Sequence, residues 1–441
     1  MKRNGLVFGT TISHIIYNTR NALSQERIKI YRWIRKGTWS VVDQALFSGS
    51  NFLVNVLLAR WLLPEEYGAF AVALSVFYLL AGFHTAVLTE PMMVFGAGKY
   101  RESFRKYLGM LLYGHWGLSA VVVPALGIAA LMFAHYGSPA MACALAGLAV
   151  ASPFLLLIWL VRRACYVPMQ PAWATVGSGV NLASTLVGLF LLSRAGLLSS
   201  FSGVVLLGAA AAIASLVLLI LRLRPLVWGF AGNPTPVMVL GDHWGYGSWN
   251  LVGMLAYWAS GQVLMFLIPM FLGLAASAAV AAVWNLYRPV SLLMQSLGLV
   301  LLPVFSRWIS EGMESRELRR HATRFALLFG GAVALYGLLL TVGAKPLLHL
   351  LYAGRYDEHW LLVGLFGLST AASVATSVFL CALKALGRTQ VVSEVWGLSA
   401  VLVSLSSGIL IAMGGLEVAL VGFALSYLIA GIIAYSKITR E

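Results

Sequence analysis

The sequence predicts an all-α integral membrane protein whose twelve transmembrane helices form two lobes of six. Three observations lead to this fold class. Apolar residues make up 60% of the 441 residues and charged residues only 10%, whereas a soluble domain carries about 25% charged residues. Apolar runs long enough to span a bilayer recur along the chain, and Lys and Arg cluster in alternate loops between them. No segment has the composition of a soluble domain.

Each predicted helix is an apolar run of about 20 residues or more, the length that crosses the hydrocarbon core. The runs cover residues 39–63, 68–90, 107–134, 139–161, 173–193, 201–221, 244–272, 277–305, 325–343, 360–383, 391–412 and 417–436. Turn-forming residues separate them, among them Pro64 with Gly68 and the glycine pair at 414–415. An even number of spans places both chain ends on the same side of the membrane.

The positions of Lys and Arg predict the orientation. The two tails and the even-numbered loops contain 25 of the 30 Lys and Arg residues, the odd-numbered loops contain four, and Arg288 lies inside the eighth helix. Cytoplasmic loops are enriched in Lys and Arg, so both ends are predicted to be cytoplasmic (N-in, C-in). The same asymmetry explains the net charge of +15 without a nucleic-acid partner.

Residues 1–36 are predicted to form a basic cytoplasmic tail whose later part lies on the anionic inner leaflet. A cleaved signal peptide is the less favoured alternative, because Thr and Ser interrupt the first apolar stretch and no A-x-A site follows it. Cys143, Cys165 and Cys381 lie in or beside apolar runs. We therefore expect them to be buried thiols and not a disulfide framework.

The two sets of six helices are predicted to be repeats, with an N-lobe at 37–224, a cytoplasmic linker at 225–243, a C-lobe at 244–436 and a C-terminal tail at 437–441. At an offset of 210 residues, GTWSVV at 37–42 aligns with GSWNLV at 247–252. That offset carries the first helix onto the seventh and the second onto the eighth. Parallel repeats of this kind are related by an axis along the membrane normal. Chance similarity between apolar helices is the alternative.

The sequence contains no recognisable motif for catalysis. GAGKY at 96–100 lacks the first glycine and the Ser or Thr of a phosphate-binding loop. The eight His residues show no metal-ligand spacing, and no Ser-His or paired-carboxylate arrangement stands out. The longest predicted outer segment, about 344–359, is too short for an extracytoplasmic catalytic region. We therefore expect no enzymatic activity, no metal and no cofactor.

Arg288 is the sharpest candidate for a functional residue. A charge near the middle of a span costs about 2.5–3.5 kcal/mol on insertion scales, so it should face protein or a watery cavity. Polar residues at helical spacing surround it on helix 8, and helices 1 and 2 carry further polar stripes. The residues predicted to line a shared substrate cavity are Arg288, Asn285, Gln295, Asn51, Asn55, Ser48, Gln44 and Tyr78. Hydrogen bonding between helices is the alternative role for the amides and hydroxyls.

Acidic residues near the membrane are few. Asp43 and Glu90, close to cytoplasmic helix ends, are candidate gate residues that would need a basic partner. No Asp or Glu lies near mid-span, so no proton or sodium site is assigned. Three aromatic residues, Trp258, Trp284 and Tyr287, would stack on a sugar only if they face the cavity.

Three segments, in order, resemble the Wzx-like polysaccharide flippases of the multidrug/oligosaccharidyl-lipid/polysaccharide exporter superfamily. LLARWLLPEEYGAF at 57–70 resembles the family's LAR-x-L-x-P-x-x-Y-G turn between helices 1 and 2. LLYAGRY at 350–356 is similar to its LLFG-x-x-Y loop between helices 9 and 10, and ALKALGRT at 382–389 to the segment after helix 10. The resemblance covers about residues 38–436.

The resemblance implies a MATE-like arrangement in which helices 1, 2, 7 and 8 line a central cavity. It implies flipping of undecaprenyl-pyrophosphate-linked oligosaccharide from the cytoplasmic to the outer leaflet of the bacterial inner membrane by alternating access. Arg288 matches a cavity arginine of the related lipid II flippase branch, whereas the cavity arginines expected on helix 1 have no counterpart here. The implied partners are the lipid-linked oligosaccharide with its polyprenyl pyrophosphate, membrane lipids, and polysaccharide polymerase or assembly proteins.

Two other functions stay open. One is a cation-coupled small-molecule antiporter of the same superfamily, which would call for a buried acidic ion site. The other is a membrane scaffold of a polysaccharide assembly complex that transports nothing. In a scaffold, Arg288 would be packed against a carboxylate in a closed bundle.

Overall fold

The structure is a computed structural model that describes residues 35–229 and 232–439. All but the end of the predicted N-terminal tail, together with the last two residues of the C-terminal tail, lies outside the described residues. The regular secondary structure of the described part is helical throughout. The predicted all-α class is confirmed.

Six helices form the N-lobe, and each begins close to a predicted apolar run. They are α1 (Arg35–Trp61), α2 (Pro64–Ala97), α3 (Phe104–His135), α4 (Pro139–Ala164), α5 (Pro171–Arg194) and α6 (Ser200–Leu223). Proline occupies the first turn of α2, α4 and α5, where its missing N–H costs no hydrogen bond. Helix α2 contains a π-helical turn at Thr85–Thr89.

The C-lobe begins with two interrupted spans. Helix α7 comprises Pro236–Gln262 and Leu264–Leu272, and α8 comprises Leu274–Leu286 and Arg288–Ser310. Helix α9 is Ser315–Val342, and a short helix, Ala344–Tyr352, follows it on the outer side. Helix α10 is Trp360–Ala385. Because α7 starts at Pro236, the second half of the predicted linker is helical.

The last two spans form one continuous stretch, Thr389–Lys437, of 49 residues. A membrane core about 30 Å thick needs only about 20 residues of helix. Gly415 breaks the stretch with φ 76°, a left-handed conformation that glycine adopts without steric cost. We name the parts before and after it α11 (389–414) and α12 (416–437). Ten helices are long and apolar enough to span a membrane, and this stretch is one of them. Counting α8 as an eleventh span and this stretch as two gives the predicted twelve.

The two lobes are built alike. In the N-lobe, α4 packs against α2, α3 and α6. In the C-lobe, α10 takes the same place, packing against α8, α9 and the α11–α12 stretch, with Thr376 donating to the carbonyl of Tyr427 in α12. Small residues permit close approach: a Cβ on Gly208 would lie 2.7 Å from the Cα of Ala151.

One contact between the lobes joins equivalent positions of the two repeats. The Nη1 of Arg288 donates to the hydroxyl of Tyr78 over 3.0 Å, and the two residues are 210 positions apart. That separation equals the offset at which the two halves of the sequence align. Residues in equivalent positions meet only near the axis that relates two repeats, so this contact supports the parallel repeat predicted from the sequence.

The connection between the lobes is attached to the N-lobe. The N–H of Leu226 donates to the carbonyl of Arg105, and the Tyr113 hydroxyl donates to the carbonyl of Val227. The two N-lobe residues in these contacts, Arg105 and Tyr113, belong to the cytoplasmic half of α3. These two contacts hold the part of the connection before residue 230, and the Lys106 Nζ of α3 donates to the carbonyl of Gly232 in the part after it over 2.7 Å.

The cysteine prediction is partly wrong. Cys165 and Cys381 are buried thiols, but Cys143 is exposed on α4. The apolar run that surrounds Cys143 predicts a position within the membrane, and an apolar residue there contacts lipid as readily as protein. A side chain that faces lipid therefore counts as exposed in the isolated chain.

Candidate functional site

The helix α8 breaks one residue before Arg288. Tyr287 has φ −95° and ψ 1°, and a second helix starts at Arg288 with Pro289 in its first turn. Pro289 has no N–H to donate to the carbonyl of Asn285 four residues earlier, and its ring crowds that carbonyl, which interrupts the helix between them. The prediction of one continuous helical face for helix 8 is therefore wrong at this point, and Pro289 is the sequence signal for the break.

The guanidinium of Arg288 lies between the lobes with a tyrosine as its partner. Its Nη1 donates to Tyr78 of α2, and its Nε is shielded from solvent without a hydrogen-bond partner. Among the residues that the structure describes, no carboxylate forms an ion pair with it. The positive charge is therefore not neutralised by an acid of the described chain.

Two of the predicted asparagines lie beside this arginine. Asn285, three residues before it in α8, donates to the carbonyl of Phe52 in α1, and its side-chain oxygen has no hydrogen-bond partner. Asn55 of α1 donates to the carbonyl of Asn51 and accepts a long hydrogen bond of 3.4 Å from the Tyr67 hydroxyl. The structure thus places Tyr78 in contact with Arg288 and Asn285 three residues before it, and it connects Asn55 to this region through Tyr67.

Two tyrosines that the sequence analysis did not assign to the site also belong here. Tyr67 and Tyr352 both lie near the guanidinium of Arg288. The Tyr352 hydroxyl donates to the carbonyl of Ala282 over 2.8 Å, and burial raises the pKa of Tyr352 to about 12. In the sequence, the two tyrosines are distinguished only as members of the motifs at 57–70 and 350–356. Their position beside the arginine depends on tertiary contacts between those motifs.

The first and second motifs meet at the outer end of the molecule. The ring of Tyr67 lies 6.5 Å from that of Tyr356, which in turn is 5.5 Å from that of Tyr352. Arg355 donates to the backbone carbonyl of Leu62 across the lobes. We call this group of residues, Leu62, Tyr67, Tyr352, Arg355 and Tyr356, the outer cap. It covers the arginine from the outside.

The other polar residues of α1 lie further from the outer cap. Gln44 donates to Ser48 on the same helix over 3.3 Å, and Asn51 accepts from Asn55 through its carbonyl. At about 1.5 Å per residue, Gln44 lies about 16 Å along the helix from Asn55, towards the cytoplasmic end. The structure does not bring Gln44 or Ser48 to Arg288. Gln295 belongs to α8, and its side chain lies outside the described part of the chain.

The two candidate gate residues have different surroundings. Asp43 is only 1% exposed and lies inside the N-lobe, where it accepts hydrogen bonds from Arg162 over 3.0 Å and from Tyr166 and Ser178 over 2.5 Å each. This ion pair joins α1 to α4 within one lobe. Glu90 is exposed on α2 and accepts from Asn250 of α7 over 3.0 Å, which is a contact between lobes.

A row of contacts joins α2 and its following loop to α7 on the cytoplasmic side. We call it the α2–α7 seam. A Cβ on Gly247 would lie 2.8 Å from the carbonyl oxygen of Ala86, and the His243 Nδ1 donates to the carbonyl of Val87 over 2.8 Å. Burial lowers the pKa of His243. Its other ring nitrogen lies 2.6 Å from the hydroxyl of Tyr107.

The cytoplasmic end of this seam carries an ion pair. The Lys99 Nζ lies 2.6 Å from a carboxylate oxygen of Asp242, which also accepts from Tyr100. The pKa of Asp242 is lowered: partial burial opposes the shift, but the hydrogen bonds from Lys99 and Tyr100 outweigh it. The hydrogen bond to Asp242 raises the pKa of Lys99.

Two of the three aromatic residues considered for sugar stacking are occupied within the C-lobe. The Tyr287 hydroxyl donates to the carbonyl of Val363 over 2.6 Å, and the ring of Trp284 lies 5.5 Å from that of Phe366. Trp258 donates to the carbonyl of Ser75 across the lobes. In the described ranges, no group of three or more His, Cys, Asp or Glu side chains is placed to hold a metal ion.

Comparison with known proteins gives structural matches only. No family model matches the chain, and no curated protein matches its sequence. An inward-facing structure of a multidrug resistance MATE family transporter of the MOP superfamily matches with a TM-score of 0.72 at 12% identity, over 90% of this chain and 97% of that one. An outward-facing structure of the same description gives 0.60 at 12% identity, over 92% and 94%.

A second kind of protein matches nearly as well. The inward closed conformation of the lipid II flippase MurJ gives a TM-score of 0.64 at 14% identity, over 93% of this chain and 86% of that one. Identities this low establish the fold alone. The chain is a multi-pass membrane protein with the two-lobe fold of MOP superfamily transporters.

Proposed function

We propose that this chain is a transporter of the bacterial inner membrane that flips undecaprenyl-pyrophosphate-linked oligosaccharide from the cytoplasmic to the outer leaflet. The observation that carries the proposal is Arg288. It lies between the two lobes, its Nε has no partner, and its one hydrogen bond in the described part goes to a neutral tyrosine of the opposite lobe. An arginine kept in this state retains donors for an anionic ligand.

The chemistry of the surrounding side chains suits such a headgroup. A guanidinium binds phosphate oxygens through paired N–H donors. The free amide oxygen of Asn285, the Asn55 amide and the Tyr78 hydroxyl offer both donors and acceptors to sugar hydroxyls. The polyprenyl tail would stay in the bilayer beside the lobes. The polar residues of α1 nearer the cytoplasm, Gln44, Ser48 and Asn51, would meet the glycan as it enters.

The two sets of contacts between the lobes fit alternating access. The outer cap closes the outer end, and the α2–α7 seam joins the lobes towards the cytoplasm. A carrier has to break one set while the other holds. Likeness to the lipid II flippase supports a lipid-linked cargo, and O antigen, capsule and exopolysaccharide remain the candidate products. Polymerase and assembly proteins would then act on the delivered glycan.

A cation-coupled antiporter of small molecules is the second candidate. Its support is the likeness to a MATE family transporter. The surroundings of Asp43 argue against it. Asp43 is the only buried acid in the described part of the N-lobe, and it is already paired with Arg162, so it is not free to bind a coupling cation. A non-transporting scaffold has less support, because Arg288 has no carboxylate partner in the described residues.

The test is flipping of a fluorescent short-chain polyprenyl diphosphate-linked sugar in proteoliposomes. We expect Arg288→Ala to reduce the flipping rate by about tenfold or more, because losing one charge-assisted contact to phosphate costs about 1.5–3 kcal/mol. Arg288→Lys should recover only part of the rate, since a lysine lacks the paired donors.

Arg194→Ala is the matched control, because Arg194 is an exposed arginine at the end of α5 that packs only over the ring of Phe190. It should flip at the wild-type rate. A normal rate in Arg288→Ala would remove the observation on which the proposal rests. Export of a cationic dye by a protein that leaves the lipid probe unmoved would favour the antiporter.

A further inference from the structure

Two histidines are buried together inside the membrane-spanning part of the N-lobe. The Nε2 of His84 in α2 lies 3.1 Å from the Nδ1 of His115 in α3, and solvent reaches neither side chain. The Nδ1 of His84 lies 3.3 Å from the Thr89 hydroxyl. The remaining nitrogen, the Nε2 of His115, is shielded and has no partner in hydrogen-bonding geometry. Ionisable groups at such depth are candidates for function.

The pair can take up one proton without rearranging its heavy atoms. Two neutral imidazoles hold two N–H protons on four nitrogens, and one of these lies between the rings. If His115 donates to His84, then His84 donates to Thr89, and the Nε2 of His115 is left as a bare acceptor. A proton added there becomes a third N–H, and the backbone of Pro153, which interacts with this ring, favours the added proton.

The charged groups around the pair lie on α4 and on α2 itself. The guanidinium of Arg163 in α4 acts electrostatically on His84, while Arg162 and Glu90 act on Arg163. Arg162 is in turn paired with Asp43. From the C-lobe, His243 of α7 reaches the carbonyl of Val87. A proton on the pair would therefore place a positive charge near Arg163 without an acid in direct contact.

The pair is directly connected to the α2–α7 seam. The π-helical turn Thr85–Thr89 begins immediately after His84 and ends at the threonine that faces the His84 ring. The carbonyls of Ala86 and Val87 in this turn are the surface that α7 contacts through Gly247 and His243. Turns of π-helix are strained insertions that often occur at functional sites. A change at Thr89 or His84 changes the same turn on which the other lobe closes.

We propose that the His84–His115 pair is a proton-binding site that controls the α2–α7 seam, with the neutral pair stabilising the closed seam and proton uptake favouring its opening. As a site for the coupling ion, it rests on the proposed transport function. Repulsion from Arg163 is relieved when the lobes separate and water enters, which gives the direction of the effect. The chemical species bound is a single proton, and its acceptor is the Nε2 of His115.

The experiment measures the distance between the lobes as a function of pH, without any substrate. Spin labels are placed at Arg101→Cys in the N-lobe and Arg316→Cys in the C-lobe, both exposed positions, in the full chain with its three cysteines replaced. We expect the ratio of separated to closed lobes to rise as pH falls from about 8 to about 5, by up to about tenfold per pH unit for one proton.

Three histidine variants identify the titrating group. His84→Gln and His115→Gln should each flatten the pH response. His135→Gln, which changes an exposed histidine at the outer end of α3, should leave it intact. If His243→Gln flattens the response while His115→Gln does not, proton binding occurs at the seam itself and the proposal is overturned. The proposal is also overturned if the distance between the lobes of the wild-type protein does not change with pH.

A fourth variant keeps the test valid if a glutamine variant fails to fold. Thr89→Val conserves size but removes the hydroxyl that faces His84, so it should shift the midpoint of the pH response. An unshifted midpoint in Thr89→Val would count against the proposal. Because no substrate is present, a flat pH response leaves lipid flipping open, and absent flipping with a normal pH response contradicts only the proposed function.

Discussion

Asp43 and Arg162 form an ion pair that solvent hardly reaches, with side-chain exposures of 1% and 9%. The sequence places Asp43 near a cytoplasmic helix end, which predicted a gate residue. The structure instead shows its carboxylate with three partners inside the N-lobe. Sequence alone did not distinguish the two situations, because the partners Arg162 and Ser178 are supplied by helices distant in the chain.

Removing one member of this pair should destabilise the N-lobe. Arg162→Ala leaves a buried carboxylate unpaired, which typically costs about 3–5 kcal/mol. We expect a clear fall in the thermal unfolding temperature of the detergent-solubilised protein. Removing both charges in Asp43→Asn with Arg162→Met should restore part of the loss.

The control is the exposed pair of Arg307 and Glu311, one helical turn apart. Exposed pairs contribute little, so Arg307→Ala should unfold near the wild-type temperature. If Arg162→Ala behaved like Arg307→Ala, the Asp43 pair would not be a structural element of the N-lobe.

Arg288 was predictable and its tyrosine neighbours were not, for a physical reason. A charge within an apolar run is so costly that its presence in the sequence already indicates a functional role. Tyrosine is common in protein interiors and at membrane interfaces. Nothing in the sequence therefore distinguishes Tyr67 and Tyr352 from the other tyrosines, of which the chain has 17 in all. Their role depends on the meeting of two motifs that lie far apart in the sequence.

At the scale of elements, the break in α8 is the main departure from expectation. Hydropathy averages over about 20 residues and does not register a single interruption. Spacing placed Asn285 and Arg288 on one helical face, but the break at Tyr287 means that the two belong to separate helical segments. Both still make contacts with the N-lobe, Asn285 with the carbonyl of Phe52 and Arg288 with the hydroxyl of Tyr78.

The close approach of α2 and α8 at the outer end leads to a sharp prediction. A Cβ on Gly68 would lie 1.8 Å from the carbonyl oxygen of Leu274, so Gly68→Ala should force the lobes apart there. The assay is labelling of a single cysteine at Asn285→Cys by an impermeant thiol reagent added from outside. Asn285 is 1% exposed, and we expect labelling to become about tenfold faster in Gly68→Ala, which is the change that a shift of about 1.4 kcal/mol produces.

Gly117→Ala serves as the control, because a Cβ on Gly117 meets no atom within 4 Å. Alanine is the better helix former by about 1 kcal/mol, so this variant should be at least as stable as the wild type and label at its rate. Equal labelling in Gly68→Ala and Gly117→Ala would mean that the outer contact does not limit access to Asn285.

At the scale of the whole molecule, the number of spans and the two-lobe plan followed from composition. The bilayer requires each span to satisfy its own backbone hydrogen bonds, so apolar length translates directly into helices. Contacts between the lobes follow no such rule. The seam and the outer cap depend on which faces of α2, α7 and α8 meet, and single positions such as Gly68 and Gly247 decide how closely.

The ion pair at the end of the seam should not produce the pH response expected of the histidines. The lowered pKa of Asp242 makes its contribution present above the ordinary carboxyl range and lost only below about pH 4, and the raised pKa of Lys99 keeps its contribution up to about pH 10. Asp242→Asn should therefore raise the ratio of separated to closed lobes by the same factor at every pH between about 5 and 8, and leave the dependence of that ratio on pH unchanged. If this pH dependence disappeared in Asp242→Asn, the titrating group would belong to the ion pair.

The contact between Tyr78 and Arg288 has a consequence for the origin of the molecule. In a homodimer of six-helix chains, the residue at this position would face its own copy across the two-fold axis. Two arginines there would repel each other, and two tyrosines would carry no charge. Once both halves are encoded in one chain, the two copies can differ, so a single cation can occupy the axis with a neutral hydroxyl beside it. Joining two halves that can diverge thus removes the symmetry that would place two like charges opposite each other at this position.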